Sequence, residues 1–538
     1  MQTKYIVVMG SLLSGLGKGI ITASLAKLLS MHGIKAMPLK FDGYLNYDCG
    51  TMNPFRHGEV FVLDDKSEVD MDFGNYERFL NTDLNGEFSL TGGKIFSAII
   101  EKERKGDFLG NDVQFVPHVA DYITGYVTGV AKRNKLDVML IEVGGTVGDI
   151  ENGYFIEAMR ELASEEKVVF VNLTYIPELG AVGEQKTKPT QIALRNMMQL
   201  GIRPGFIICR SEKALGEAAK KKVALFANVD EGAVIDDRDS DNIYRTPLHL
   251  LDQGLDRMMI KALGLKPKSG DKLFRKSVAS WRSLCDAIDK NGSRVNIGIV
   301  GKYTQLHDAY ASVKEAITHA AGRNGVGVEV RWIDSESLEG SRDNAEKMLE
   351  GIDGIVVPGG FGKRGVEGMI TAIQYARTNG VPYLGLCLGM QLMAVEYARN
   401  VCMLKGANST EFDPKAAYKI VDMLPGQEAA AKGGTMRLGL WTADIMKGTE
   451  AHRAYGSERI SERHRHRYEI NNHYRKRLAE AGLVVSAINR DRDLVEILEW
   501  KGSFGIGTQA HPELESRLER PHPLFISLIK AAKARAGA

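Results

Sequence analysis

The sequence is poor in the features that would place it in a membrane, in an oxidising compartment or on nucleic acid. No run of about 18 apolar residues occurs in its 538 residues, so no membrane span is expected. Cysteine is scarce. Cys49, Cys209, Cys285, Cys387 and Cys402 are scattered, with neither metal-ligand spacing nor a disulfide framework, which fits a reducing cytoplasm. Charge of one sign is not in excess: 70 basic and 68 acidic residues leave a net charge of +2, and no nucleic-acid or membrane partner is expected from it. The run Arg463–Arg467 (RHRHR) is the strongest local exception. Internal repeats and low-complexity stretches are absent. The N-terminal apolar run is too short for a secretory leader and passes into GLGKG rather than a cleavage site, so no leader is expected. What remains is a globular composition too long for one core, so at least two domains are expected. The 58 glycines exceed the usual share of about 7%, which suits close approaches of backbone to ligand.

The stretch YIVVMGSLLSGLGKGI opens the chain's chemistry. Tyr5–Met9 reads as a buried strand. A turn carrying Gly10, Gly15, Gly17, Lys18 and Gly19 follows, and ITASLAKLLSMHG reads as a helix ending at Gly33. Strand, glycine turn with lysine, then helix is an arrangement that cradles phosphate: backbone N–H groups and the helix N-terminus face the anion and Lys18 adds a full charge. An ordinary tight βα turn would share the glycines but has no need of the lysine. The Walker pattern is imperfect, because Leu12 stands at its first glycine and Gly19 at its hydroxyl position. Any Mg²⁺ carried with a nucleotide would therefore need carboxylates from elsewhere.

Apolar runs alternate with helical patterns through residue 265, which predicts a mostly parallel sheet with helices on both faces and ligands at the carboxyl ends of the strands. Asp70 and Asp72 in DMDFG are two apart, which on an extended chain puts both carboxylates on one face. Glu142 ends the strand DVMLIEV. Taken singly, each is equally a solvated acid near a glycine turn. The missing loop hydroxyl favours Asp72 and Glu142 together as Mg²⁺ ligands. GEQKTKPTQ, residues Gly183–Gln191, sets Lys186 and Lys188 beside Thr187 and Thr190 ahead of a helix, a second expected anion site rather than only a solvated charge run. For Lys222, within KKKVALF, solvation is the default reading.

The stretches SLLSGLGKGI, GTMNPFRHGEVFV, DMDFGNYERF, IEVGGTVGDIE, KTKPTQ and NIYRTPLHLLDQGLD closely resemble the CTP synthase family across the whole first half. The resemblance implies an amidoligase domain in which ATP phosphorylates the 4-oxygen of UTP and ammonia displaces the phosphate to give CTP. It implies ATP on Gly15, Leu16, Gly17, Lys18, Gly19 and Ile20, with Asp72, Arg238, Asp239 and Ser240, and Mg²⁺ on Asp72 and Glu142. UTP, and CTP as feedback inhibitor, would lie near Ser14, Asp149, Ile150 and Glu151, Lys186, Thr187, Lys188, Pro189, Thr190 and Gln191, and Lys222. Lys18 and Lys40 would stabilise the transferring phosphoryl group. The sequence departs from the family at Gly43, usually Pro, and at Ile192, often His.

Residues 266–293 read as a linker with one amphipathic helical stretch, separating a domain at 1–265 from one at 294–538. From VNIGIVGKY the α/β rhythm restarts. The strand PYLGL runs into Cys387, with Gly385 and Gly389 flanking it in G-x-C-x-G spacing, a nucleophile-elbow pattern with cysteine. The following helix N-terminus favours the thiolate. A buried structural cysteine is the alternative reading. GTQAHPE supplies His511 as base and Glu513 to orient it. PGGFG, at 358–362, with the N–H of Leu388, is the expected oxyanion hole.

GLCLGMQ, PGGFGKRG, RHRHRYEIN and HPE resemble the class I glutamine amidotransferases, and more narrowly the one fused in the CTP synthase family. The resemblance implies a γ-glutamyl thioester on Cys387, release of ammonia, and glutamine held by Gly360, Leu388, Gly389, Met390, Gln391, Glu411 and Arg467. Ala510 and Leu514 stand where the family often has Phe. It further implies passage of ammonia through the protein, GTP as allosteric activator, and a homotetramer, with filaments as a further form. Residues 413–434 are expected to form a surface loop. Two other readings are another ATP-dependent amidoligase fused to a glutaminase, and a non-catalytic filament subunit. The KTKPTQ and DIE stretches argue against the first and the complete Cys–His–Glu set against the second. The expected fold is thus two doubly wound α/β domains, a P-loop-like mostly parallel one followed by a class I glutamine amidotransferase domain.

Overall fold

The computed structural model describes residues 2–179, 183–290, 292–340, 342–423 and 436–537. The chain forms two compact units, residues 1–48 with 75–285 and residues 49–74 with 286–538. This differs from the expected partition in two places. Residues 49–74 pack with the C-terminal part of the chain. The helix in the expected linker, Asp271–Ile288, lies mainly in the first unit, where Trp281 is buried and its Nε1–H donates to Tyr244 O at 2.8 Å. Among the described residues no helix is long and apolar enough to cross a membrane.

The main sheet of the first unit has seven strands, β1 (Lys4–Gly10), β2 (Ala36–Asp42), β3 (Ser89–Thr91), β4 (Val138–Val143), β5 (Val168–Tyr175), β6 (Phe206–Ser211) and β7 (Val234–Arg238). They pair in parallel in the order β7–β6–β5–β1–β4–β2–β3. Their apolar runs are nearly continuous because both faces are covered, as parallel sheets require. β1 is central. The chain builds one side through β2 and β3, inserts β4 beside β1, then crosses to β5 on the other flank. The crevice at the carboxyl end of β1 is therefore a topological switch point. Helix α1 (Lys18–Met31) starts there and is buried along most of its circumference.

The second unit holds a nine-stranded mixed sheet: β8 (Arg294–Gly301), β9 (Gly327–Asp334), β10 (Gly354–Val357), β11 (Tyr383–Leu386), β12 (Arg437–Ile445), β13 (Arg459–His466), β14 (Leu483–Asn489), β15 (Leu494–Trp500) and β16 (Gly505–Thr508). The order is β9–β8–β10–β11–β16–β15–β14–β12–β13. The first five strands are mutually parallel and the remaining pairings are antiparallel. Two apolar cores accompany the sheet. One includes Val357, Leu388 and Met390, the other Ile299, Leu386 and Ile506.

Two expectations on local structure need correction. Asp70 and Asp72 are not an extended pair. Asp72 begins the helix Asp72–Leu80, and Asp70 Oδ1 accepts its N–H at 2.9 Å, so Asp70 closes the helix start as a capping residue does. The expected loop at 413–434 contains the strand Tyr418–Met423, paired antiparallel with Tyr468–Ile470. Its residues 424–434 lie outside those described.

Candidate functional site

The first unit gathers a phosphate-type cradle at the end of β1. Gly15 and Gly17 have φ of 76° and 87°, a left-handed backbone that glycine adopts without strain. Gly17 precedes α1 and offers it no side-chain cap, a helix start of the kind that takes an anion. A Cβ at Gly15 would meet nothing within 4 Å, whereas one at Gly17 would lie 2.6 Å from an Arg210 guanidinium nitrogen. Lys18 is buried and its Nζ donates to Gly145 O at 2.7 Å, tying the β1 turn to the turn after β4. Within that second turn Asp149 accepts from Thr146 N at 2.6 Å and Thr146 Oγ1 at 2.8 Å, so its carboxylate shapes the turn. Ser14, Ile150 and Glu151 are exposed.

Glu142 ends β4 almost fully buried. Lys40 Nζ lies 3.6 Å from one of its oxygens and 3.9 Å from Asp42, and Tyr76 OH bonds the other Glu142 oxygen. β2 and β4 are neighbours with Lys40 opposite Glu142, so the pair is fixed by strand register. Among the described residues no group of three or more His, Cys, Asp or Glu side chains could hold a metal. Glu142 belongs to the first unit, whereas Asp72, within residues 49–74, belongs to the second; each offers the hard oxygen donor that Mg²⁺ takes.

Within KTKPTQ the side chains divide. Thr190 Oγ1 meets Thr174 Oγ1 at 3.0 Å and Gln191 Nε2 donates to Thr187 Oγ1 at 2.9 Å, so these three are buried and hold the start of helix α2 (Lys188–Gln199). Lys188 is exposed and Lys186 pairs with Glu184 at 2.6 Å, which leaves the cations at the surface. Lys222, Arg238, Asp239 and Ser240 are also exposed. Arg210 was not picked out in the sequence. It reaches Leu16 O at 3.2 Å and Asp239 Oδ1 at 2.9 Å, joining the glycine turn to the end of β7.

The second unit holds a cavity of about 440 Å³ in which Cys387, His511, Glu513, Gly360, Glu411 and Arg467 come together. Gly50, Thr51, Met52, Pro54, Glu59 and Val60 line it as well. Cys387 sits between β11 and helix α3 (Leu388–Asn400) at φ 50°, ψ −97°, a strained backbone for a residue with a side chain. Its N–H donates to Thr508 O at 2.7 Å, its thiol faces Arg465 O at 3.9 Å, and Gln509 Nε2 lies 3.7 Å from the sulfur. Close packing dictates the elbow's glycines. A Cβ at Gly389 would lie 2.2 Å from Val357 O, and one at Gly385 2.7 Å from the carbonyl carbon of Gly389.

His511 Nδ1 meets Glu513 Oε1 at 2.7 Å, and its Nε2 is buried with no hydrogen-bond partner among the described residues. Burial alone would drive the imidazole neutral. Glu513 on one side and the sulfur of Cys387 on the other outweigh it and push the pKa up to about 10. Gly359 packs on the ring, where a Cβ would be 2.7 Å from Cε1. Glu411 accepts the N–H of Gly362 at 2.8 Å, and burial raises its pKa against the pull of that N–H, Lys302 and Arg467. Leu388, Gly389, Met390 and Gln391 face the protein interior. Leu388 and Met390 join the apolar core and Gln391 Nε2 donates to Tyr468 O at 2.9 Å. What they can offer a ligand is backbone.

Comparison with known proteins bears on both units. A family model described as "CTP synthase N-terminus" matches residues 4–265, and one described as "Glutamine amidotransferase class-I" matches residues 305–531. A CTP synthase of Pyrococcus furiosus is 49% identical over 539 residues, covering 99% of this chain and 98% of that one. A CTP synthase of Caldanaerobacter subterraneus subsp. tengcongensis is 48% identical over 535 residues, covering 98% of each. A solved structure of a Trypanosoma brucei CTPS glutaminase domain with bound acivicin is 39% identical, with a TM-score of 0.43, and covers 45% of this chain and 94% of that one. With relatives at this identity over nearly the whole length, the chain belongs to the CTP synthase family.

Proposed function

We propose that this glutamine-dependent ligase makes CTP from UTP in two chemically separate steps. In the second unit Cys387 attacks the carboxamide of glutamine. His511 receives the thiol proton and returns one to the departing ammonia, while Glu513 holds the imidazole and stabilises its charged form. Backbone N–H groups of the 359–361 loop and of Leu388 face the oxygen that becomes negative, each donor worth about 3 kcal/mol. Water then releases glutamate from the thioester.

In the first unit the 15–20 turn and Lys18 bind the phosphates of ATP. Lys18 and Lys40 balance the charge of the phosphoryl group as it moves to the 4-oxygen of UTP. That oxygen is a poor leaving group until it carries phosphate. Asp72 and Glu142 would hold Mg²⁺, which would neutralise phosphate charge. UTP, with CTP as feedback inhibitor, lies against Ser14, residues 149–151 and 186–191, and Lys222; Arg238, Asp239 and Ser240 complete the ATP side. Ammonia reaches the activated UTP through the protein, because in bulk water at neutral pH it is mostly ammonium and not a nucleophile. GTP activates the enzyme, which works as a cytoplasmic homotetramer.

The observation that carries this reading is the strained Cys387 facing the same cavity as the His511–Glu513 pair. Cys387→Ala is expected to lose glutamine-driven CTP formation and keep the reaction driven by added ammonium salt, both followed as CTP appearance. Loss of both in a folded variant would overturn the division of labour.

A further inference from the structure

In VNIGIVGKY the residue just after β8 is a lysine, Lys302, for which neither chemical step above has a use. Lys302 is 3% exposed. Its backbone N–H donates to Tyr310 OH at 3.0 Å, and Arg364 donates to its carbonyl at 2.6 Å, so its position is fixed from both sides. Its Nζ donates to Phe361 O at 3.3 Å and also to Gly362 O. Gly362, at φ 80°, gives its N–H to Glu411 at 2.8 Å. The turn after β10 is therefore held through its carbonyls by a buried cation and through an N–H by a half-buried carboxylate. On its other side Gly359 rests on His511.

From this geometry we propose that Lys302 is a positioning residue for glutamine hydrolysis, anchoring the far end of the glycine turn 359–362 so that the N–H groups of 359–361 point at the oxygen that becomes charged. The proposal rests on the reading of that turn as the oxyanion hole. A peptide N–H and the carbonyl of the preceding residue belong to one plane, so fixing the carbonyls of 361 and 362 limits how the turn can rotate. Lys302 does not itself line the cavity but stands behind Phe361 and Tyr310, which do, so removing its charge should affect stabilisation of the tetrahedral state more than binding of glutamine. The groups facing Nζ are the two carbonyls, Glu411, Arg364 and the Phe412 ring, whose centroid is 5.5 Å away. Burial dominates and lowers the lysine to about 8, with Glu411 opposing and Arg364 assisting. The lock thus weakens within an accessible pH range.

The test compares glutamine with its γ-aldehyde analogue, which adds the thiol to form a tetrahedral hemithioacetal. Wild-type enzyme is expected to bind the aldehyde far more tightly than glutamine. Lys302→Met is expected to lower kcat for glutamine hydrolysis and to weaken the aldehyde by about tenfold or more, with KM for glutamine and the rate of Cys387 alkylation by iodoacetamide little changed. Lys302→Arg, which stays charged, should recover part of the loss and keep its kcat plateau past pH 8, where wild type declines. An undiminished aldehyde preference in Lys302→Met overturns the role of Lys302 alone. No aldehyde preference in wild type overturns the oxyanion reading and the proposal with it. If Lys302→Met does not fold, Lys302→Gln is judged by the same comparison.

Discussion

At the scale of single residues, the chemistry proposed for the second unit turns on how charge is arranged around one imidazole. Burial works against a protonated His511, and Glu513 with the Cys387 sulfur reverses that balance. The raised pKa means that the charged imidazole contributes stability fully below its unfolded value near 6.5, and loses that contribution as pH rises through about 10. In the proposed mechanism the same charge lets His511 protonate departing ammonia. Glu513→Gln removes the strongest opposing charge. Its expected outcome is a fall in glutamine hydrolysis of about 10²-fold or more and an alkaline limit moved to lower pH, read from kcat against pH. An unmoved limit would assign that limit to another group.

At the scale of elements, the nucleophile elbow works because two backbones come closer than side chains allow. Gly389→Ala would drive a methyl into Val357 O, which only a shift of α3 or β10 could relieve. It is expected to destabilise the second unit by about 1–3 kcal/mol and to slow Cys387 alkylation, measured by thermal denaturation and labelling rate. This part of the site was legible in the sequence because its signals are contiguous: G-x-C-x-G and His-Pro-Glu each lie within five residues. The central strands were legible for a related reason, since a strand covered on both faces leaves an unbroken apolar run. The roles of Arg210, Gln509 and Lys302 depend on neighbours far along the chain, such as Leu16, Cys387 and Gly362, and nothing local marks them. Asp70 misled because a spacing of two suits an extended pair and a helix start alike, and the N–H it accepts decided the matter.

At the scale of the molecule, the chain visits its second unit twice. Residues 49–74 leave the first unit, line the glutaminase cavity, and are held there by charge. Arg463 meets Asp64 at 2.6 Å, Arg465 meets Glu68 at 2.7 Å, and the Ser312 N–H donates to Glu59 at 3.0 Å. The clamped strand β13 also offers its backbone to the triad, Arg463 O accepting the N–H of His511 at 2.8 Å and Arg465 O facing the thiol. The RHRHR run therefore does structural work on both of its edges. Glu68→Ala is expected to lower the stability of this unit by about 2 kcal/mol and to reduce glutamine turnover with it, followed by the unit's own melting transition and by ammonia release. Stability loss without a change in turnover would separate the clamp from catalysis.

The 399 positions between Asp64 and Arg463 carry a cost during synthesis. At roughly 5–20 residues per second, about 20–80 s pass between the emergence of segment 49–74 and that of the strand that receives it. Phe61 and Val62, fully sequestered in the finished protein, spend that interval without their final shelter. The nascent enzyme thus carries a sticky, waiting segment on the ribosome, and its yield in cells should depend on chaperones acting before translation ends.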